Sequence, residues 1–432
     1  MRLGKPAGLG TQRARRGLPM PRMENSMPLD VMDDALLDCH RGARLPCHPA
    51  TATAQAAGRA PRLRLPGWLL IGSTGRNVGK TEFACAIIKG FQAAHPTVGV
   101  KVTVVVEGES TCPRGATGCG VCAALKEDFE VSEETGGHPG KDTARMLASG
   151  ARRVFWVRCR RAAIDGAIAA LRTRLDPGTL VVAESNSLAR AIEPDLFLMI
   201  TNDRSSSTKP TAADVMGLAQ RLVRSSDGAF DPGPRHLAVL DGTWRLVEAS
   251  AAVLAGGKSS RMGQDKSLLP VNGTPLIRRI YEQLLNRFDD VVISTNDSER
   301  HAFLGARTVP DRVPGRGPLM GIASAVQAAR HERVFVIACD IPVIDLDTVT
   351  RMLVIAQDAD CVIPVSSVGY EPLFAIYRKS ALPAMRDVLE TGERRISAIF
   401  PRVRTRFYDL GCAPWYRNLN TREDVAAFLG MG

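Results

Sequence analysis

The sequence lacks several features that would place its 432 residues among membrane, secreted or fibrous proteins. No run of about 18 uninterrupted apolar residues occurs, so we predict no membrane span. Residues 1–20 contain arginines but no apolar segment followed by a small-residue cleavage site, so we predict no secretory signal. Internal repeats and heptads are also absent, which argues against solenoids and coiled coils. A soluble globular protein is the remaining expectation.

Positive charge is unevenly distributed along the chain. The formal net charge is +11, and residues 1–65 hold 11 Lys and Arg against 5 Asp and Glu. This stretch is rich in Arg, Pro, Gly and Ala without a sustained period, so we expect a disordered basic tail, within which Met20, Met23 and Met27 are alternative starts. The remaining excess suits a protein that binds triphosphates, and no nucleic-acid partner is expected.

The ten cysteines are scattered, and several lie within apolar stretches, where a free thiol behaves as a small hydrophobe. This usage indicates a reducing compartment, so we expect a cytoplasmic protein. Cys112, Cys119 and Cys122 differ, because they share a glycine-rich segment. They could hold zinc or an iron–sulfur cluster, with Cys159 as a fourth ligand, or be an accident of composition.

Short apolar runs alternate with segments of helical period, which predicts buried parallel strands and connecting helices. In the first half, strands are predicted at 68–71, 98–106, 154–157, 180–183 and 196–200, and helices at 83–91, 162–171 and 212–222. In the second half, strands are predicted at 251–255, 291–295 and 334–338, and helices at 276–285 and 319–329. The expected fold is α/β, with two doubly wound domains at 66–225 and 248–432. Turn residues in 226–247 predict a linker between them.

The most informative segment is LAGGKSSRMGQDKSLL, residues 254–269, which directly follows a predicted strand. Gly256 and Gly257 let the backbone approach a triphosphate and point N–H groups at its oxygens. Arg261 and Lys266 add cations that can stabilise charge on a departing pyrophosphate. The segment therefore predicts nucleotide binding and catalysis, with a glycine-rich surface turn as the alternative.

Asp340 follows the predicted strand 334–338, at the carboxyl edge where open α/β sheets bind ligands. Mg²⁺ usually takes one or two carboxylates together with phosphate oxygens and water. Asp340 is therefore the candidate Mg²⁺ ligand, and an N-cap for the next helix is the alternative role.

Residues 250–432 resemble the molybdenum cofactor guanylyltransferase family. The loop is similar to the family signature L-A-G-G-x-S-x-R-M-G-x-D-K. Further similar segments follow in order: NGTPL at 272–276, PD at 310–311, GPLMGI at 317–322, CDIP at 339–342, EPLFAIY at 371–377 and NLNT at 418–421. The resemblance implies a Rossmann-like nucleotidyltransferase domain.

The resemblance also implies the reaction: GMP passes from GTP to molybdenum-loaded molybdopterin, and pyrophosphate leaves. It assigns the nucleotide cradle to Leu254, Ala255 and Gly256, and the phosphate contact to Lys266. Asn296 and Asp311 would contact the nucleotide. Asp340 would bind both the nucleotide and Mg²⁺. Asn296 and Asp311 have a simple turn role as the alternative. The pterin's phosphate can attack directly, so no protein nucleophile is required.

The base is indicated by resemblance alone. Related cytidylyltransferases resemble L-A-A-G-x-G-x-R-F-G in the loop, whereas this chain has two glycines at 256–257, Met262, and the guanylyl-type block at 317–319. The resemblance therefore favours GTP. A cytidylyltransferase and a sugar-phosphate nucleotidyltransferase are the alternatives.

A second glycine-rich loop, GSTGRNVGKT at 72–81, lies between a predicted strand and a predicted helix, the context of a phosphate-binding P-loop. Threonine replaces the first glycine of G-x-x-x-x-G-K-[ST], and loops altered in this way resemble those of the dethiobiotin synthetase group. Gly75 and Gly79 would keep the backbone close to the nucleotide, Lys80 would reach its phosphates, and Thr81 would ligate Mg²⁺.

Residues 140–143 and 148–151 resemble segments of the molybdopterin-guanine dinucleotide biosynthesis protein B family, which are small P-loop GTP binders of the same pathway. This resemblance implies a bifunctional cofactor-assembly enzyme, with other assembly proteins and apo-molybdoenzymes as further partners. Glu184 could orient Mg²⁺ or water, but the family's V-E-G-F-K is not matched there. A non-catalytic GTP-dependent adaptor is therefore the alternative for this half.

Overall fold

The computed structural model describes residues 61–105, 125–136, 140–202, 209–256, 265–411, 413–419 and 422–429. The expected tail at 1–65 therefore lies almost wholly outside the described residues. Residues Arg59–Gly432 form one compact unit, in which two α/β sheets follow each other along the chain. In the described part of the chain, no helix is long and apolar enough to cross a membrane.

The N-terminal sheet contains the strands predicted from the sequence and several more. Its strands are β1 (Leu63–Ser73), β2 (Thr97–Val105), β3 (Phe129–Glu133), β4 (Arg153–Arg160), β5 (Leu180–Glu184), β6 (Ile192–Thr201), β7 (Arg221–Ser226) and β8 (Ala229–Asp231). Its helices are α1 (Lys80–Phe91), α2 (Asp142–Ala148), α3 (Ile164–Arg172) and α4 (Pro210–Met216). The order is β3-β4-β2-β5-β1-β6-β7-β8, with β3 and β8 antiparallel to their neighbours and the other pairings parallel.

Both faces of this sheet are buried. Along β1, Trp68 and Leu70 belong to one apolar cluster, whereas Leu69 and Ile71 belong to another. Successive strand residues point to opposite faces, so helices must cover each side. The continuous apolar run read from the sequence is therefore explained by burial on both faces.

The predicted helix at 212–222 is wrong in its second half. α4 ends at Met216, with Gly217 at its C-cap, and β7 begins at Arg221 and pairs in parallel with β6. Glycine is a poor helix residue, and the hydrogen bonds to β6 satisfy the backbone of 221–226 as a strand.

The predicted linker at 226–247 is also structured. β8 completes the N-terminal sheet, and β9 (Leu237–Leu240) forms a hairpin with β10 (Thr243–Leu246). Trp244 of β10 is fully buried, and its indole N–H donates to the Gly67 carbonyl over 3.0 Å. Tertiary packing therefore orders a segment whose local sequence reads as turns.

The C-terminal sheet agrees closely with the predicted elements. Its strands are β11 (Ser250–Leu254), β14 (Val291–Ser294), β15 (Arg307–Val309), β16 (Arg333–Ala338), β17 (Cys361–Ser366), β18 (Gly369–Tyr370), β19 (Phe374–Arg378) and β20 (Thr405–Asp409), and β12 (Pro270–Val271) and β13 (Thr274–Pro275) form a separate small hairpin. The helices are α5 (Leu276–Leu285), α6 (Pro318–Ala328), α7 (Leu346–Ile355), α8 (Leu382–Glu390) and α9 (Arg422–Leu429). The order β15-β14-β11-β16-β19-β17-β18, with β20 beside β17, places β11 between two parallel neighbours.

Candidate active site

Three parallel strands of the C-terminal sheet end at one edge. Leu254 of β11 pairs with Ser294 of β14 and with Ala338 of β16. The pairing continues beyond the strands, because the N–H of Ala255 donates to Ser294 O over 2.9 Å and the N–H of Cys339 donates to Leu254 O over 3.1 Å. The segments that follow β11, β14 and β16, which carry predicted site residues, therefore leave the sheet side by side.

Lys266 and Asp340 meet at this edge. Lys266 Nζ lies 3.3 Å from Asp340 Oδ2, and the two side chains are 21% and 23% exposed. The N-cap alternative for Asp340 is wrong, because Asp345 caps the following helix through the N–H of Thr348, 3.3 Å away. Asp340 is thus a partly exposed carboxylate beside a cation, with no capping role.

Asn296 and Asp311 form a reciprocal pair. Asn296 Nδ2 donates to Asp311 Oδ2 over 2.8 Å, and the N–H of Asp311 donates to Asn296 Oδ1 over 2.8 Å. A methyl group at Gly321 of α6 would lie 3.3 Å from Ser294 Oγ and 3.4 Å from Asp311 Oδ1. The pair therefore joins the segments after β14 and β15, and glycine lets α6 approach it closely.

Only part of the signature loop lies within the described residues. Leu254 is buried, Ala255 is half-buried and Gly256 is exposed, so the backbone reaches solvent at the strand end. The remaining predicted cradle residue, Gly257, and the predicted catalytic residue Arg261 lie outside the described residues.

The sequence analysis did not single out two polar side chains near this edge, His301 and Glu371. His301 Nε2 lies 3.0 Å from the hydroxyl of Ser267 in the signature loop. Glu371 accepts hydrogen bonds from Ser366 over 2.7 Å and from the Tyr416 hydroxyl over 2.8 Å. Burial, the Glu371 hydrogen bond and the nearby negative charges of Glu371 and Asp340 raise the pKa of Tyr416. The motif EPLFAIY was a signal for Glu371, whereas His301 had none.

The N-terminal loop has its own arrangement. Gly79 caps α1 with a φ of 97°, a conformation that favours glycine, and a side chain there would also lie 3.2 Å from the ring of Phe230. Lys80 Nζ donates to Ser73 Oγ over 3.0 Å, and Ser73 Oγ donates to Gly75 O over 2.8 Å. Lys80 therefore folds back over the loop that the sequence predicts to bind phosphates.

Positive charge converges on the same loop. The N–H of Lys209 donates to Thr74 O over 2.9 Å. Burial, followed by the neighbouring charges of Lys80 and Arg76, lowers the pKa of Lys209 to about 8. Three cations that raise one another's electrostatic energy form a good environment for an anion.

Glu184 uses both carboxylate oxygens within the protein. Oε2 accepts from Thr81 Oγ1 over 2.8 Å, and Oε1 accepts from Lys101 Nζ over 3.0 Å. Lys101 also pairs with Asp142. The sequence analysis missed Lys101 because it lies inside a predicted strand. The apolar pattern of that strand predicts that its neighbours are buried, but it gives no sign of a role for the lysine.

Three residues of the proposed cysteine site, Cys112, Cys119 and Cys122, lie outside the described residues. Cys159, the proposed fourth ligand, is fully buried in the apolar core of the N-terminal sheet. Burial raises the pKa of its thiol to about 11, which disfavours the thiolate that a metal requires.

His236, Asp289 and His331 join the two halves, with ligand atoms within 4.8 Å of one another. His236 Nδ1 accepts the N–H of Gly233 over 3.0 Å, so the proton of the neutral ring is on Nε2, 3.3 Å from Asp289 Oδ1. His331 Nε2 lies 2.8 Å from the same oxygen. A metal would need an unprotonated Nε2 on His236, so the contacts of both rings with Asp289 favour a polar clamp between the halves.

Comparison with known proteins covers the C-terminal sheet. Residues 251–405 match the family model of the MobA-like NTP transferase domain. A probable molybdenum cofactor guanylyltransferase of Pelotomaculum thermopropionicum is 35% identical over 162 residues, which are 38% of this chain and 79% of that protein. The molybdenum cofactor guanylyltransferase of Vibrio cholerae is 31% identical over 190 residues, which are 43% of this chain and 94% of that protein.

Among solved structures, molybdopterin-guanine dinucleotide biosynthesis protein A of Archaeoglobus fulgidus is 23% identical, with a TM-score of 0.38; the match covers 42% of this chain and 97% of that one. The relatives from Pelotomaculum thermopropionicum and Vibrio cholerae are each more than 30% identical to this chain, and the match covers most of their own length. The chain therefore belongs to the MobA-like family of nucleotidyltransferases and is a nucleotidyltransferase.

Proposed function

We propose that the C-terminal half transfers GMP from GTP to molybdenum-loaded molybdopterin, giving molybdopterin guanine dinucleotide and pyrophosphate. The observation that carries the proposal is the Lys266–Asp340 pair, 3.3 Å apart at the shared edge of β11, β14 and β16. At this distance the cation of Lys266 can bind phosphate while the carboxylate of Asp340 binds a metal ion. The names of the relatives supply the substrate class.

In this mechanism the protein positions its substrates and stabilises charge. Lys266 binds phosphate oxygens and offsets the negative charge that builds on the departing pyrophosphate. Asn296 and Asp311 contact the nucleotide, and their two mutual hydrogen bonds hold them ready for it. Because these groups are already oriented, little reorganisation is needed in the transition state.

Asp340 fits the requirements of a Mg²⁺ ligand. It is a partly exposed carboxylate at the sheet edge, and Mg²⁺ in proteins usually takes one or two carboxylates and keeps several waters. When bound, the ion would neutralise charge on the nucleotide phosphates. Lys266 holds Asp340 in place in the free protein.

The chemistry needs no nucleophile from the protein. An oxygen of the pterin's terminal phosphate attacks the α-phosphorus of GTP, and the bond from that phosphorus to the bridging oxygen breaks. The electron pair leaves with pyrophosphate, so charge and atoms balance. Positioning and electrostatic stabilisation account for the catalysis.

We further propose that the N-terminal half is an accessory domain that binds GTP at the loop 72–81. The positive charge of Lys80, Lys209 and Arg76 supports phosphate binding there, and Thr81 is the candidate Mg²⁺ ligand. Both oxygens of Glu184 are engaged by Thr81 and Lys101, which favours slow hydrolysis and therefore the adaptor role. Cofactor-assembly proteins and apo-molybdoenzymes would be the partners of such an adaptor.

The test is to incubate the full chain with Mg²⁺, molybdenum-loaded molybdopterin and either GTP or CTP, and to separate the dinucleotide and pyrophosphate formed. We expect the guanine dinucleotide, with a rate about 10²–10³-fold lower in Asp340→Ala. Asp347→Ala, which removes an exposed carboxylate of α7, is the matched control and retains the rate. Cytosine dinucleotide would correct the base, and no pterin product would favour sugar phosphates as substrates.

A further inference from the structure

Lys266 lies between two residues that are hydrogen-bonded to each other. Asp265 Oδ1 accepts from the backbone N–H of Ser267 over 3.0 Å and from its hydroxyl over 2.8 Å. His301, on the 3₁₀ helix Glu299–Leu304, places Nε2 3.0 Å from Ser267 Oγ. His301 is 1% exposed and Ser267 is fully buried, so water does not compete for this contact.

The residue before His301 holds the other end of the same turn. Arg300 Nη1 donates to Asp265 Oδ2 over 2.8 Å, and the backbone N–H of Arg300 donates to Asp297 Oδ1 over 3.1 Å. Two consecutive residues of one helix therefore hold the residues on each side of Lys266. Lys266 in turn reaches Asp340.

The protons in this network can be assigned. Burial alone would raise the pKa of Asp265, but hydrogen bonds from Ser267 and Arg300 outweigh it and lower the pKa, so Asp265 is ionised. An ionised carboxylate only accepts, so the Ser267 hydroxyl donates to Asp265 and must accept from His301. His301 therefore carries its proton on Nε2.

The second ring nitrogen of His301 supports the same assignment. Nδ1 is buried, and within the described part of the chain it has no hydrogen-bond partner. A proton placed there would be desolvated without an acceptor, which is unfavourable. His301 is thus a hydrogen-bond donor through Nε2.

We propose that His301 is a positioning residue for nucleotidyl transfer, which acts through Ser267 to hold Lys266 against Asp340. The inference rests on the proposed use of GTP. Loss of the His301 contact is expected to lower mainly kcat, because a displaced Lys266 ammonium is no longer aligned with the charge that develops only in the transition state. The affinity for GTP in the ground state changes less, because the other predicted cradle residues also contribute to it.

The test is steady-state kinetics of the full chain with His301→Leu, His301→Gln and Ser267→Ala. Leucine keeps much of the volume without a donor, whereas glutamine places an N–H group near the position of Nε2. We expect His301→Leu and Ser267→Ala to lower kcat about tenfold, with KM for GTP within about twofold, and His301→Gln to restore most of kcat. The double variant Ser267→Ala/His301→Leu is expected to be no slower than Ser267→Ala alone, because Ser267→Ala already removes the hydrogen bond that His301→Leu removes.

His236→Gln is the matched control, since it changes the other described histidine of similar burial, at the contact between the halves, and is expected to retain kcat. Equal changes in kcat and KM, additive losses in the double variant, or no rescue by glutamine would overturn the positioning role. Ser267→Ala keeps the histidine ring and so tests the role even where His301→Leu folds poorly. A wild type that uses another nucleotide would refute the proposed function alone, and the same comparison is then made with that nucleotide.

Discussion

Replacing Trp244 with alanine is expected to destabilise the N-terminal half of the chain severely. Trp244 is fully buried in β10, and its ring centroid lies 4.9 Å from that of Phe91 in an edge-to-face arrangement. Its indole N–H donates to the Gly67 carbonyl, and Asp195 accepts the backbone N–H groups of both Gly67 and Trp244, over 2.7 and 3.1 Å. The hairpin is therefore anchored to β1 through this one side chain and its neighbours.

The magnitude follows from burial and hydrogen bonding. A buried tryptophan removes about 200 Å² from water, worth about 5 kcal/mol at roughly 25 cal/mol per Å², and truncation to alanine typically costs about 3–5 kcal/mol. The Gly67 carbonyl also loses its indole donor, which adds about 1 kcal/mol. We expect a loss of about 4–6 kcal/mol in the free energy of unfolding, a large fraction of a domain's usual stability.

The assay is hydrogen–deuterium exchange of the β1 backbone in increasing urea, because it reports the N-terminal sheet separately from the rest of the chain. Trp244→Phe keeps the ring and loses the N–H, so about 1–2 kcal/mol is expected. Arg245→Ala changes the exposed neighbour and should cost about 0.5 kcal/mol or less. A loss below about 1 kcal/mol in Trp244→Ala would refute the packing argument and restore the linker interpretation.

Two charged clusters make pH-dependent predictions. Because the pKa of Lys209 is about 8, GTP affinity at the loop 72–81 is expected to fall severalfold as the pH rises from about 7 to about 9. Calorimetry would measure GTP binding, and the binding that is lost in Lys80→Ala belongs to this site. An equal decline in affinity with pH in Lys209→Arg would contradict the assignment of the pH dependence to Lys209. For Asp289, burial is outweighed by hydrogen bonds from His331 and His236, which lower its pKa. Such a group stabilises the fold above its unfolded pKa of about 4, and this contribution is lost as the pH falls through the lower folded value. Asp289→Asn is therefore expected to reduce stability at about pH 7 and to flatten the acid limb of denaturation curves; unchanged curves would disprove the clamp.

Much of the C-terminal half could be predicted because its local patterns are strong. The predicted helix 276–285 coincides with α5, whose buried residues Leu276, Ile277, Ile280 and Leu284 follow a helical period. The apolar run before Asp340 is β16, buried along almost its whole length. Since parallel strands end at a common edge, the position of Asp340 directly after a predicted strand was enough to place it at the carboxyl edge of the sheet.

The segments that were misread have weak local patterns. In β7 only Val223 is buried, and Pro232 and Gly233 follow β8, so neither a strand nor a domain contact is evident from periodicity. These residues become ordered because β6 offers unpaired backbone groups and the hairpin brings Trp244 into the core. Propensity alone could not show either partner.

The sequence by itself determined the α/β class, the two glycine-rich loops and the residues that follow the central strands, because these depend on short apolar runs and on backbone freedom at glycine. Tertiary structure alone decided which side chains meet. Ser267 and His301 are 34 residues apart, Lys266 and Asp340 are 74 apart, and Gly67 and Trp244 are 177 apart. No local period links such positions, since their hydrogen bonds exist only after the helices and strands have packed.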